Sequence, residues 1–195
     1  MKVKITIPES LKDITLEKYQ KYMKLIDRKD EMDDYTFLKM VISLFTGLTL
    51  EQIDSIKQTE LESLSNDITK ALNQEVEFKK RFTMGGVEFG LIPSFDKMQS
   101  KEFYDLSGYS NDVDSLHKIM AVLFRPIKNS DSLENYTIEE YKGTEEWNEL
   151  MKETPLNIVN GALGFFLTLQ KDLQQAIQKS TDEVLTREKV QATTS

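Results

Sequence analysis

The chain of 195 residues contains no cysteine and a single histidine, His117. Disulfide scaffolds, thiolate nucleophiles and cysteine zinc sites are thereby excluded, along with most histidine-based metal sites. Basic charge is also short. Lys and Arg number 25 against 33 Asp and Glu, a net charge of −8, which argues against a broad phosphate-binding surface and so against nucleic acid as a partner. Long apolar runs are missing too. The longest, around Ile158 to Leu169, is interrupted by Asn160 and Thr168 and is shorter than the roughly 20 residues that span a bilayer. At the N-terminus Met1 to Ile7 alternates like a strand, where a leader would form an apolar block. The expectation is a cytosolic protein with no membrane partner.

What is present is enough to fold. A hydrophobic share of 39% with 30% charged residues supports a core, unlike the composition of disordered chains. The periodicities predict an α+β protein, mainly α-helical, with a small antiparallel β-hairpin and a long C-terminal helix. Its organisation reads as a strand and helical cluster over 1–75, then the hairpin and a C-terminal helical half over 76–195, the two being open to forming one continuous domain. Thr15 caps a helix carrying Leu16, Tyr19, Met23 and Ile26. Asp34 is read as the cap of a second, ended by Gly47. Thr49 with Gln52 and Thr59 with Glu62 fit capping boxes. From Val76 the period becomes two, and Gly85-Gly86 supplies the turn of a hairpin. Ser100 caps a short helix, another runs from near Val113 to Arg125 and stops before Pro126, and Tyr136 to Tyr141 reads as a short strand. Finally, Thr154 caps and Pro155 opens a helix with a three-four seam of Leu156, Val159, Leu163, Phe166, Gln170, Leu173 and Ile177. Gly161 and Gly164 each cost about 1 kcal/mol inside a helix, which asks for an offset such as the close approach of another backbone.

Candidate chemistry is sparse. His117 has no second histidine one turn away and no serine or carboxylate spacing that marks it as a base, so a structural role is the simpler reading. Asp30, Glu31, Asp33 and Asp34 lack the alternation, central glycine and distal glutamate of a calcium loop, and Asp112 and Asp114 suit helix capping better than a metal. Gly85-Gly86 lacks the context of a phosphate loop. Lys79, Lys80 and Arg81 beside Phe78 and Phe82 form a small basic patch that strand alternation explains as a solvated face. Trp147, Tyr136 and Tyr141 remain as aromatics suited to contacts, with Trp147 read as core before interface. No cofactor, metal or catalytic residue is assigned, and the surface singled out for partners is Leu156, Val159, Gly161, Leu163, Gly164, Phe165 and Phe166. The competing reading is a small enzyme or nucleic-acid accessory factor with a site near His117 and Arg125, supported by Asp112 and Asp114.

Four segments in order carry a resemblance: Gly86 to Pro93, Leu116 to Ile127, Tyr141 to Thr144, and Pro155 to Phe166, with Ile7 to Leu16 at the start. The chain resembles small proteins encoded among the structural and assembly genes of tailed bacteriophages, including phages of gut Bacteroidales. The resemblance implies a noncatalytic role in virion assembly, as a chaperone or minor component that binds structural proteins of the tail, neck or baseplate. It would act in the host cytoplasm and, as a component, stay in the virion; a homo-oligomer is a further partner state.

Overall fold

The computed structural model describes residues 6–93, 98–110, 112–133 and 135–167. Thr6 and Ile7 lie outside any strand, and the rest of the alternating N-terminal segment falls outside the described residues. The first half is a run of helices whose ends are set by local side chains. Ser10 and Asp13 form a capping box around a 3-10 turn, Leu11–Asp13. The Thr15 hydroxyl accepts from the Lys18 amide at 3.3 Å and opens α1 (Leu16–Asp27). The cap of α2 (Asp34–Thr46) is Asp33, one residue before the expected Asp34. The Asp33 carboxylate takes the Thr36 hydroxyl at 2.7 Å and its amide at 2.9 Å, and these bonds hold it below the usual carboxylate range. Gly47, at φ +75°, ends α2 in the left-handed region.

Thr49 and Gln52 exchange both bonds of a capping box ahead of α3 (Leu50–Asp54). The next helix departs from the sequence reading. α4 (Gln58–Leu72) begins one residue before Thr59, behind Lys57 with no side-chain cap, so the Thr59–Glu62 box does not form. Gln58 donates to Glu62 at 3.0 Å instead. Leu61, Leu64 and Ile68 bury the inner face of α4, as their spacing predicts.

Among the described residues four strands form one antiparallel sheet in the order β1-β2-β3-β4. Gly85 and Gly86, at φ +57° and +78°, turn β1 (Arg81–Met84) into β2 (Val87–Leu91). The first strand is shorter than the alternation from Val76 suggests: residues 76–80 lie outside it, and Glu77 and Phe78 lie against the C-terminal helix. α5 (Ser100–Tyr109) has Gln99 at its cap position, so Ser100 is already helical. A 3-10 turn, Val113–Ser115, leads into α6 (Leu116–Leu123), which passes without a loop into β3 (Phe124–Ser130). Sequence reading missed β3. Pro126 stops the helix but sits inside a strand, opposite Phe89. Its carbonyl accepts from Glu139 just past the end of β4 (Tyr136–Ile138), so the amide that proline lacks would face a position where the ladder has already stopped.

After α7 (Asn148–Met151) comes α8, residues 156–167. Thr154 is not its cap. Its hydroxyl is buried among sulfurs, 3.6 Å from Met151 Sδ and 3.9 Å from Met84 Sδ, and the Pro155 carbonyl accepts the first helical amides, from Ile158 at 2.9 Å and Val159 at 3.3 Å. Main-chain bonds tie this corner to the start of α1: Leu16 N to Thr154 O at 2.9 Å, Glu17 N to Lys152 O at 2.9 Å and Leu156 N to Ile14 O at 2.8 Å. One buried cluster runs from Leu11 to Phe166 and draws on both halves of the chain. Phe89 and Phe124 lie at its centre with no exposed surface, each contributing about 1.5–3 kcal/mol by leaving water.

Candidate functional site

The strongest concentration of polar groups sits where β3 leaves α6. Arg125 Nη1 lies 2.7 Å from Glu102 Oε1 of α5, and the two side chains are only 11% and 4% exposed. The other Glu102 oxygen accepts the Gln99 amide at 2.7 Å. Burial pulls the Arg125 pKa down, and the Glu102 charge pulls it back up, so the guanidinium stays a cation held by its partner. Its face is 5.8 Å from the Tyr141 ring. Tyr141 donates to Asp105 Oδ2 at 2.7 Å, and burial followed by that bond pushes the phenol pKa far up, fixing it neutral. Arg125 Nε is buried with no hydrogen-bond partner among the described residues. A cavity of about 320 Å³ borders the pair, lined by Glu102 and Arg125 themselves, by Ile92, Met98 and Ile138, and by Glu139 and Glu140. Apart from Arg125 Nε, the cluster's polar atoms are paired within the chain. The Glu102 carboxylate, the Arg125 Nη1 and the Tyr141 hydroxyl each face another group of this chain, and the geometry makes a clasp between α5, β3 and the Tyr141 segment.

His117 belongs to a different contact. It is 8% exposed, on the side of α6 that meets α1, where Gln20 is 7% exposed. Gln20 Nε2 donates to the Val113 carbonyl at 2.8 Å and lies 3.3 Å from His117 Nδ1. Burial, then Lys152 and Lys118, lower the imidazole pKa, which favours the neutral ring. Asp112 and Asp114 point elsewhere: Asp112 accepts from Ser115 Oγ at 2.7 Å and Asp114 N at 2.9 Å, and Asp114 pairs with Lys24 at 2.9 Å. Of the four residues named for a chemical site, Asp112 and His117 meet the Asp114 main chain, while the charged ends of Arg125 and Asp114 pair with Glu102 and Lys24.

The remaining motifs are structural as well. Arg81 pairs with Glu88 across the hairpin at 2.9 Å and lies 5.4 Å from the Tyr136 ring. Phe78 stacks on Phe165 with centroids 4.5 Å apart, while Phe82 packs on Phe89 and Phe124. Among the acids of 30–34, Glu31 pairs with Arg28 at 2.9 Å and Asp33 is the α2 cap. Among the described residues no group of three metal-ligating side chains comes together, and no helix is long and apolar enough to cross a membrane. Trp147 packs edge-on against Phe89 at 5.3 Å, in keeping with its reading as core. Of the other two aromatics weighed for contacts, Tyr141 is 7% exposed and Tyr136 donates to the Leu91 carbonyl at 2.8 Å. The Tyr136 ring lies over Gly90, where a Cβ would come within 2.5 Å of it.

The partner surface read from α8 requires correction. Leu156, Val159, Gly161 and Phe166 are buried within this chain, because α8 packs its seam into the shared core. Gly161 admits a close backbone, as its cost suggested, but the backbone is the chain's own: a Cβ there would lie 3.1 Å from Phe78 Cα and 3.2 Å from the Glu77 carbonyl. Leu163 and Phe165 are half-buried and Gly164 is exposed, while Gln170, Leu173 and Ile177 lie outside the described residues. Large apolar exposure occurs at Leu167 of α8 and at Leu133, and on α5 at the adjacent rings of Phe103 and Tyr104, 60% and 78% exposed. The signal was in the sequence: Glu102 and Leu106, four apart, define the buried stripe, and Phe103 and Tyr104 fall off it.

Comparisons with known protein families, curated proteins and solved structures find no match.

Proposed function

We propose that this chain is a noncatalytic assembly protein of a tailed bacteriophage, acting by contact with a structural protein of the tail, neck or baseplate. The observation that carries the noncatalytic part is the commitment of Arg125, Glu102, His117, Asp112 and Asp114 to internal partners, while α5 holds Phe103 and Tyr104 out to water. Each of these rings would contribute up to about 1.5–3 kcal/mol if a partner covered it, and their adjacency makes α5 a candidate contact face. The phage setting is supported by the resemblance of the segments from Gly86 to Phe166. Co-expression with the portal, neck, tail and baseplate proteins of the same genome tests the reading. The expected result is a stable complex with one of them that the double substitution Phe103→Ser and Tyr104→Ser abolishes without loss of folding. Failure to bind any of them, with the chain folded, contradicts it. Proteomics of purified particles then separates a chaperone, which is absent, from a minor component at fixed stoichiometry.

A further inference from the structure

The contact between His117 and Gln20 has an asymmetry of donors and acceptors. The Val113 main-chain carbonyl can only accept, so the Gln20 atom 2.8 Å away is the amide nitrogen, which also lies 3.3 Å from His117 Nδ1. With the ring neutral and its proton on Nε2, Nδ1 can accept the second amide hydrogen. If a proton arrived there, an N–H would meet an N–H. Rotating the Gln20 amide would not cure this, because its oxygen would then oppose the Val113 carbonyl. In either orientation a protonated ring leaves one buried pair mismatched.

We propose that His117 is an acid-sensitive latch: protonation of its ring opens the junction between α1 and the run from Val113 through α6. Burial, the largest influence, works in the same sense, and so do Lys152 after α7 and Lys118 on α6, which oppose a positive ring. Glu149 of α7 and a hydrogen bond to the Asp114 main chain favour it, but these are the smaller influences, and Glu149 is tied to Lys152 at 2.8 Å. On α1, Glu17 is tied to Lys21 at 2.8 Å, and Lys24 holds Asp114 of the 3-10 turn at 2.9 Å. On that turn's other side Asp112 is bound by Ser115, and α5 contributes Tyr109, whose ring lies 5.2 Å from Lys118 Nζ. Each carboxylate among these contacts already has a partner, so none stands ready to receive an imidazolium. Because the folded ring resists protons that the unfolded ring accepts, the unfolded state binds more protons below about pH 6.5. The latch's contribution is thus complete above that pH and fades as pH falls. The device does not depend on what the protein binds.

The test compares the intact chain with His117→Asn, whose side-chain oxygen can accept from Gln20 at every pH. Between pH 7.5 and 5.0 the unfolding temperature of the parent should fall roughly 2–4 °C further than that of the variant, with amide exchange in α1 and 113–123 rising in the parent alone. NMR titration of the folded parent gives a second readout that needs no variant, since His117 is the chain's one histidine. A midpoint below about 6.5, the ordinary histidine value, with the proton on Nε2 in the neutral form supports the latch. A midpoint at or above that value, or equal losses in both proteins, overturns it.

Discussion

At the start of α6 His117 meets Gln20 of α1 without a formal charge; where α6 passes into β3, Arg125 meets Glu102 of α5 as an ion pair. Both contacts are buried and both join residues far apart in the chain, yet they fail in different ways. The neutral contact depends on a proton's absence from one nitrogen, so mild acid reaches it. The ion pair carries desolvated charge that only its partner offsets, so substitution reaches it hardest. Polarity in this core therefore sets which helix and strand meet. Apart from Arg125 Nε, the groups that a sequence reader would nominate for chemistry already have partners within the chain.

Breaking the charged contact should have the larger effect. Glu102→Ala strands the Arg125 guanidinium beside a Tyr141 ring that cannot neutralise it, and should cost about 3–5 kcal/mol in urea unfolding. A loss under about 1 kcal/mol, the range of an exposed pair, would mean that water replaces the carboxylate and that the site is wetter than the burial of Glu102 implies. Removing the neutral contact should cost less. Gln20→Ala leaves His117 Nδ1 without a donor and the Val113 carbonyl with only the Leu116 amide, a loss of about 1–3 kcal/mol at neutral pH. It should also flatten part of the parent's decline in mild acid, because a protonated ring no longer faces an opposing amide. If Gln20→Ala costs as much as Glu102→Ala, the distinction between the two contacts collapses.

How far these features could be read in advance follows the range of the forces that make them. Helix ends in the first half rest on side chains two or three residues away, so Thr15, Gly47 and the Thr49–Gln52 box could be read directly. The turn at Gly85-Gly86 was readable for the same reason. Errors of one residue, at Asp33 and Gln99, arose where neighbouring polar residues compete for a single position. β3 was invisible because Pro126 signals an ending, while the strand is permitted only by where β4 stops. The α8 seam was visible as a stripe, but a stripe does not say which surface covers it. Gly161 shows the point: its need for a close backbone could be inferred, and only the fold reveals that residues 77–78 supply it. Likewise, nothing in the spacing of Glu102 and Arg125 or of Gln20 and His117 announces a pair, since 23 and 97 positions separate them.

The proposed noncatalytic role requires the buried polar residues of this chain to hold the fold and take no part in chemistry. On the proposed phage role, particle yield from a phage carrying Arg125→Met together with Glu102→Gln puts that requirement at greatest risk. The double change removes both charges, while the amide oxygen introduced at position 102 still accepts from the Gln99 main chain. Near-wild-type yield from a folded variant is expected, because a buried pair replaced as a whole by uncharged groups often costs little. Full folding with yield abolished would refute it and return Arg125 to the list of reacting groups.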